Sequence, residues 1–260
     1  MSIDWLELQK VLIPIKDYED LTSRFRVSFS YPFVREKFNF TLPELRSYTE
    51  ALLGGDARGR YKEYMLQLVD IISSLQQAGV QTVHQLIILS ETREKFEVFI
   101  EESSMVASDV VQLLKYLVYW LIPAEKYMSG LVQPDPDIIN AIKVLRIYGI
   151  RTNLELLQSG ISADGRKSLA DTTGLPEALI SDLVNRADLS RLPWSSKATI
   201  SNIIGAGYGS LDKLSHADPE ELYADFFSYG KSIDKNLKLG NEIENSYRIA
   251  KLIPVILNRD

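Results

Sequence analysis

Three glycines, Gly79, Gly149 and Gly207, sit in one shared local pattern, and that pattern constrains the fold more than any other feature of the chain. Seven residues before each stands an isoleucine (Ile72, Ile142, Ile200), and four before stands Leu75, Leu145 or Ile203. The i, i+3 spacing puts both on one apolar face of a helix. The glycine predicts where that helix stops. Only glycine enters the left-handed region without a Cβ penalty, and the apolar residue that follows (Val80, Ile150, Tyr208) can fold back on the last turn. Three residues past the glycine comes a hydroxyl, Thr82, Thr152 or Ser210, suited to the N-cap of a second helix whose apolar face includes Leu86, Leu156 or Leu214. Gln85 and Glu155 predict a capping box in the first two copies, while Lys213 breaks it in the third. The expected repeat is a helix, a tight turn and a helix.

Other helix starts read directly from the chain: Asp135-Pro136, Leu175-Pro176-Glu177 and Asp218-Pro219-Glu220-Glu221 each place proline in a first turn. The apolar run Val110 to Ile122 predicts a buried helix, its 13 residues falling short of the roughly 20 that cross a bilayer. Ile243 to Leu257 predicts a final helix that stops at Pro254. Strand signals are confined to Thr22 to Phe40, where Phe25, Val27, Phe29 and Tyr31 alternate with Arg24, Arg26, Ser28 and Ser30, which predicts a short strand or hairpin. Leu52 to Arg60, with three glycines in six residues, predicts a loop. The fold class expected is mostly α, with a helical amino-terminal part over residues 1–134 and tandem helix-hairpin-helix-like units over 135–260.

Composition removes several function classes. The 45% apolar and 25% charged fractions are those of a globular protein. A net charge of -6 has the wrong sign for gripping a phosphate backbone with a whole surface. Neither half is a basic module: 16 basic residues face 20 acidic ones in 1–150, and 13 face 15 in 151–260. The absence of cysteine removes disulfides, cysteine metal sites and thiol catalysis. Met1-Ser2-Ile3-Asp4-Trp5 carries an acid where a signal peptide carries basic residues, so the expected location is cytoplasmic, with no membrane partner.

From about Asn140 onward the chain resembles a family of uncharacterised domains built from tandem helix-hairpin-helix units. The residues that carry the resemblance are Gly160-Ile161-Ser162, Gly165-Arg166, Leu169-Ala170, Thr173-Gly174-Leu175, Val184-Asn185, Ala187-Asp188-Leu189 and Ala206-Gly207 with Leu211 and Leu214. The resemblance implies helix pairs joined by hairpins. In relatives that bind DNA the hairpin carries Gly-hydrophobic-Gly, which lets backbone amides approach a phosphate. Here those positions are Trp194, Ser195 and Ser196. The matching offsets before Gly149 give Pro136 and Ile138, and those before Gly79 give Leu66 and Leu68. No copy keeps both glycines, so the resemblance speaks for fold more than for DNA binding.

The candidate nucleic-acid contacts are therefore local: Arg191, Trp194, Ser195, Ser196 and Lys197 around the third hairpin, and Arg24 and Arg26 in the aromatic segment, where cations interleave with rings as in single-strand binders. Arg58 and Arg60, ahead of a helix, form a candidate anion site. The two histidines, His84 and His216, are expected to be structural or solvent-facing, since two side chains without cysteine do not close a metal site. No Gly-x-Ser-x-Gly or Walker-type run is present, and no residue is singled out as catalytic, metal-binding or cofactor-binding. The expected function is a non-enzymatic binding or scaffold protein with an unidentified protein partner. The alternatives are a weak, non-specific nucleic-acid binder and an enzyme with a site dispersed between the two halves.

Overall fold

A computed structural model describes residues 3–56, 59, 61–133, 135–193, 195–235, 237 and 241–258. The chain divides into two compact units, residues 1–122 and 123–260. The sequence placed the division at 134/135. Residues 126 to 128 fall with the second unit because their backbone hydrogen-bonds to the turn beyond Gly149: the Met128 amide donates to the Arg151 carbonyl (3.0 Å) and the Asn153 amide to the Lys126 carbonyl (2.9 Å).

The first unit contains α1 (Trp5–Leu12), α2 (Tyr18–Ser30), α3 (Pro32–Lys37), α4 (Leu42–Gly54), α5 (Lys62–Gln77), α6 (Val83–Leu89), α7 (Arg93–Ser103) and α8 (Ala107–Trp120). Helix α8 is the centre, packing against α1, α2 and α5. Its apolar residues bury on nearly all sides, among them Val110, Val111, Leu113, Leu114, Tyr116 and Leu117. Lys115 interrupts that run without breaking the core. Its ammonium reaches the end of α1, where the Val11 and Ile13 carbonyls accept from it, so the stem packs while the charge meets unsatisfied helix-end oxygens.

The expected strand between Thr22 and Phe40 is not formed. The segment is α2 and α3, and among the described residues the chain has no named strand, only two isolated bridges, Thr41 with Thr82 and Tyr127 with Thr152. Tyr18, Leu21, Phe25 and Phe29 recur at helical spacing on one buried face, and Asp17 caps the start by accepting from the Asp20 amide. The two-residue alternation coexists with this three-to-four-residue period, and packing against α8 selects the helix. The expected loop from Leu52 is shorter than read, since α4 continues through Gly54.

The second unit contains α9 (Pro136–Ile147), α10 (Asn153–Gly160), α11 (Ala163–Thr173), α12 (Glu177–Leu189), α13 (Lys197–Gly205), α14 (Leu211–Ser215), α15 (Pro219–Ser232) and α16 (Asn241–Ala250). Helices α10, α11 and α12 pack on one another, α13 on α15, and α14 on α16. The close meeting of α10 and α12 depends on Gly160, where a Cβ would lie 2.6 Å from Val184 Cγ2.

The three glycine turns have one geometry. Gly79, Gly149 and Gly207 have φ of +88°, +85° and +97°. In each, the next residue's amide returns to the carbonyl five residues earlier: Val80 to Leu75, Ile150 to Leu145 and Tyr208 to Ile203, each at 3.0 Å. The glycine amide bonds the carbonyl three residues back, which completes a Schellman closure. Thr82, Thr152 and Ser210 then cap the following helices by accepting from the amides of Gln85, Glu155 and Lys213. The capping box closes at Thr152–Glu155 but not at Thr82, where the Gln85 side-chain oxygen (Oε1) accepts from the Gln81 amide (2.8 Å) in place of the Thr82 amide.

No helix among the described residues is long and apolar enough to cross a membrane.

Candidate functional site

The end of α12 carries the third-hairpin residues singled out in the sequence, and it places them in two very different settings. Arg191 is turned inward. Its side chain is 1% exposed and pairs with Asp188 (Nη2 to Oδ1, 2.5 Å), while Nε donates to the same oxygen (2.7 Å) and Nη1 donates to the Pro254 carbonyl (2.9 Å). Burial pushes the Asp188 carboxyl up, and the Arg191 charge and hydrogen bond hold it down. Such a pair stabilises little relative to apolar packing, but removing one member leaves a buried charge alone.

Ser195 is likewise buried. Its hydroxyl donates to the Ser190 carbonyl (2.8 Å) and accepts from the Lys126 ammonium (2.9 Å). Lys126 uses its other two protons on the Ser190 and Ser195 carbonyls, at 2.8 and 3.1 Å, so all three donors of the ammonium are occupied. Burial lowers its pKa to about 8. Asn153, fully buried at the start of α10, ties this cluster together: its amide nitrogen donates to the Ala124 carbonyl and Ser190 hydroxyl, and its oxygen accepts from the Lys126 amide. Chemically the cluster is a brace. It satisfies the carbonyls that end α12 and leaves no donor on the lysine for a substrate.

Ser196 faces outward, and Lys197 is half-buried. Ser196 is exposed and caps α13 by accepting from the Thr199 amide (3.1 Å), with Lys197 as the first helical residue. Trp194, Arg58 and Arg60 lie outside the described residues. In the first unit Arg24 is committed to Asp20 (2.8 Å), whereas Arg26 is exposed. Of the rings interleaved with them, Phe25, Phe29, Phe33 and Phe38 are buried, while Tyr31 and Phe40 are half-buried.

A cavity of about 270 Å³ in the second unit is lined by Arg166, Asn185, Asp188, Arg191 and Asp212 together with residues 253–258. Arg166 donates to the carbonyls of Gly160, Ile161 and Asn258. With the Arg191 bond to Pro254, the two arginines pin the chain's last described residues to α11 and α12. Of this polar cluster the sequence offered one signal, the i, i+3 spacing of Asp188 and Arg191 beside the apolar Ala187 and Leu189. Lys126, Asn153 and Ser190 were missed, since their partners are 27 to 69 residues away.

His84 donates its backbone amide to the Asn39 side chain, and its ring stacks on Phe29 with centroids 5.2 Å apart. The His216 ring contacts Ser215 and the Asp212 carbonyl. No group of three or more acidic or histidine side chains that could hold a metal occurs among the described residues.

Fold and site together define a mostly helical protein with internally braced glycine turns. Residues 140–239 match a family described as a domain of unknown function (DUF4332). No curated protein and no solved structure matches the chain.

Proposed function

We propose that this chain is a non-enzymatic binding or scaffold protein, in which repeated helix-hairpin-helix-like units present a surface for a protein partner. The observation that carries this reading is the fate of the amides at the start of each second helix. The Val83, His84 and Gln85 amides donate to the Phe40 carbonyl, the Asn39 side chain and the Thr82 hydroxyl. Those of Asn153 and Glu155 donate to the Lys126 carbonyl and the Thr152 hydroxyl, and that of Lys213 to the Ser210 hydroxyl. A helix start that grips a phosphate offers such amides to the ligand. At these six amides the chain's own oxygens accept instead.

The turn at Gly149 also exposes apolar side chains: Ile147 is 81% exposed, Tyr127 66%, Tyr148 50%, and Ile139 on α9 40%. Apolar and aromatic groups gathered in the open are a mark of protein interaction surfaces. Weak nucleic-acid binding is the second reading, resting on the exposed Ser196 and Arg26 and on the half-buried Lys197.

A photo-crosslinking amino acid placed at Ile147 of the full chain, in its native cell, tests the proposal. A discrete protein adduct is expected that Tyr148→Asp abolishes and that does not form when the crosslinker replaces the exposed Glu101. A nucleic-acid adduct at position 147, or identical adducts at both positions, contradicts it.

A further inference from the structure

A second cavity, of about 280 Å³, lies within the first unit between α2, α6 and α8. Phe25 and Phe29 from α2, Ile87 from α6 and Leu114 from α8 give it a buried apolar lining. His84 adds to the wall: its imidazole stacks on the Phe29 ring, within 8° of parallel and with centroids 5.2 Å apart. Ser90, at the end of α6, also lines the space and is 2% exposed. Its backbone is satisfied, the amide bonding the Leu86 carbonyl at 3.0 Å and the carbonyl accepting from Tyr18 at 2.7 Å. Its hydroxyl completes no hydrogen bond at full geometry among the described residues, although it lies close enough to the Tyr18 phenol to act on it. A buried hydroxyl without a full hydrogen bond costs free energy, and one that borders a cavity points to a group that enters the cavity to meet it.

The rim adds charge. Arg26 and Glu91 both border the space. Glu91 is bonded to Lys95 at 2.7 Å, which holds its carboxyl below the usual range and offsets its charge. Arg26 makes no ion pair within 4.0 Å among the described residues, and Glu91 is the acid whose field it shares. The volume is at the small end of ligand pockets, which run about 300 to 1,000 Å³, so it suits one ring or two fused rings. From the aromatic lining, the hydroxyl without a full hydrogen bond and the basic rim we infer that this cavity binds a small planar aromatic carboxylate, its ring among Phe25, Phe29 and His84, a carboxylate oxygen on Ser90, and its charge toward Arg26. This site is independent of the protein-binding surface proposed for the second unit.

The chain has only two histidines, so proton NMR of the imidazoles reads the site directly, with His216 as the internal control. The full chain is titrated at fixed pH and ionic strength with benzoate and indole-3-acetate, and with acetate (no ring) and benzamide (no charge). The aromatic carboxylates are expected to shift His84 saturably, with Kd below about 1 mM, and to leave His216 unmoved, while acetate moves neither. Arg26→Gln, an exposed change that spares the core, is expected to weaken benzoate about tenfold and benzamide hardly at all. Ser90→Ala is expected to weaken both severalfold. An unmoved His84, equal shifts at both histidines, or benzoate binding unchanged in Arg26→Gln would overturn the inference.

Discussion

Lys126 is a half-buried lysine whose ammonium is held among Ser190 and Ser195 oxygens. Its pKa in the fold, about 8, lies below the value of about 10.4 for an unfolded lysine. Between those two pH values the unfolded chain holds more protons than the folded one, so stability rises with pH; below about 8 the cost of the buried charge is present in full. Buried tyrosines act in the opposite sense at higher pH. Burial raises Tyr18 and pushes Tyr64 up to about 12, so their contribution is lost as pH climbs past about 10. Below the tyrosine range, from about pH 7.5 to 9.5, Lys126 gives a gain of about 1 to 2 kcal/mol, and Lys115, whose pKa burial also lowers, adds in the same direction. Urea denaturation of the wild type and of Lys126→Met at both ends of that window checks this. The rise is expected to be clearly smaller in the second. An equal rise in both would assign the titration to another group.

At the scale of elements, the glycine turns show why part of the fold was legible. A Schellman closure involves only residues within five positions of one another, so Leu75, Gly79 and Val80 carry the whole instruction, as do their counterparts in the other two turns. Replacing Gly149 by valine forces a β-branched residue to φ near +85°. The expected loss is about 1 to 2 kcal/mol or more, read as a lower denaturation midpoint. An unchanged midpoint would mean that the turn adopts another closure at no cost. Where the deciding contacts are distant, sequence reading failed. Arg24 to Tyr31 fits a strand by its alternation and a helix by Leu21, Phe25 and Phe29, and only the packing of α2 against α8 decides between them. Arg191 and Ser195 read as surface groups because the partners that bury them, Pro254 and Lys126, stand 63 and 69 residues away. The Ser90 hydroxyl without a full hydrogen bond has no signature in the chain at all, since it is defined by an empty space that α2, α6 and α8 enclose together.

For the whole molecule, the residues that carry the family resemblance serve packing in this structure. Gly160 admits Val184, Gly174 ends α11 with φ of +70°, and Asp188 holds Arg191 inside. Phosphate binding at the third hairpin would have to rely on Ser196 and Lys197, on a chain whose net charge is -6. Protein recognition and nucleic-acid binding are separated by the chain's affinity for oligonucleotides. Fluorescence anisotropy of the full chain with labelled duplex and single-stranded oligonucleotides across a series of salt concentrations measures it. A protein-binding chain is expected to give a Kd no tighter than about 10⁻⁵ M at physiological salt, the range of non-specific contacts. Submicromolar binding that weakens with Lys197→Ala would contradict this and place a phosphate backbone at the start of α13, and binding that weakens with Arg24→Ala and Arg26→Ala together would place it on α2.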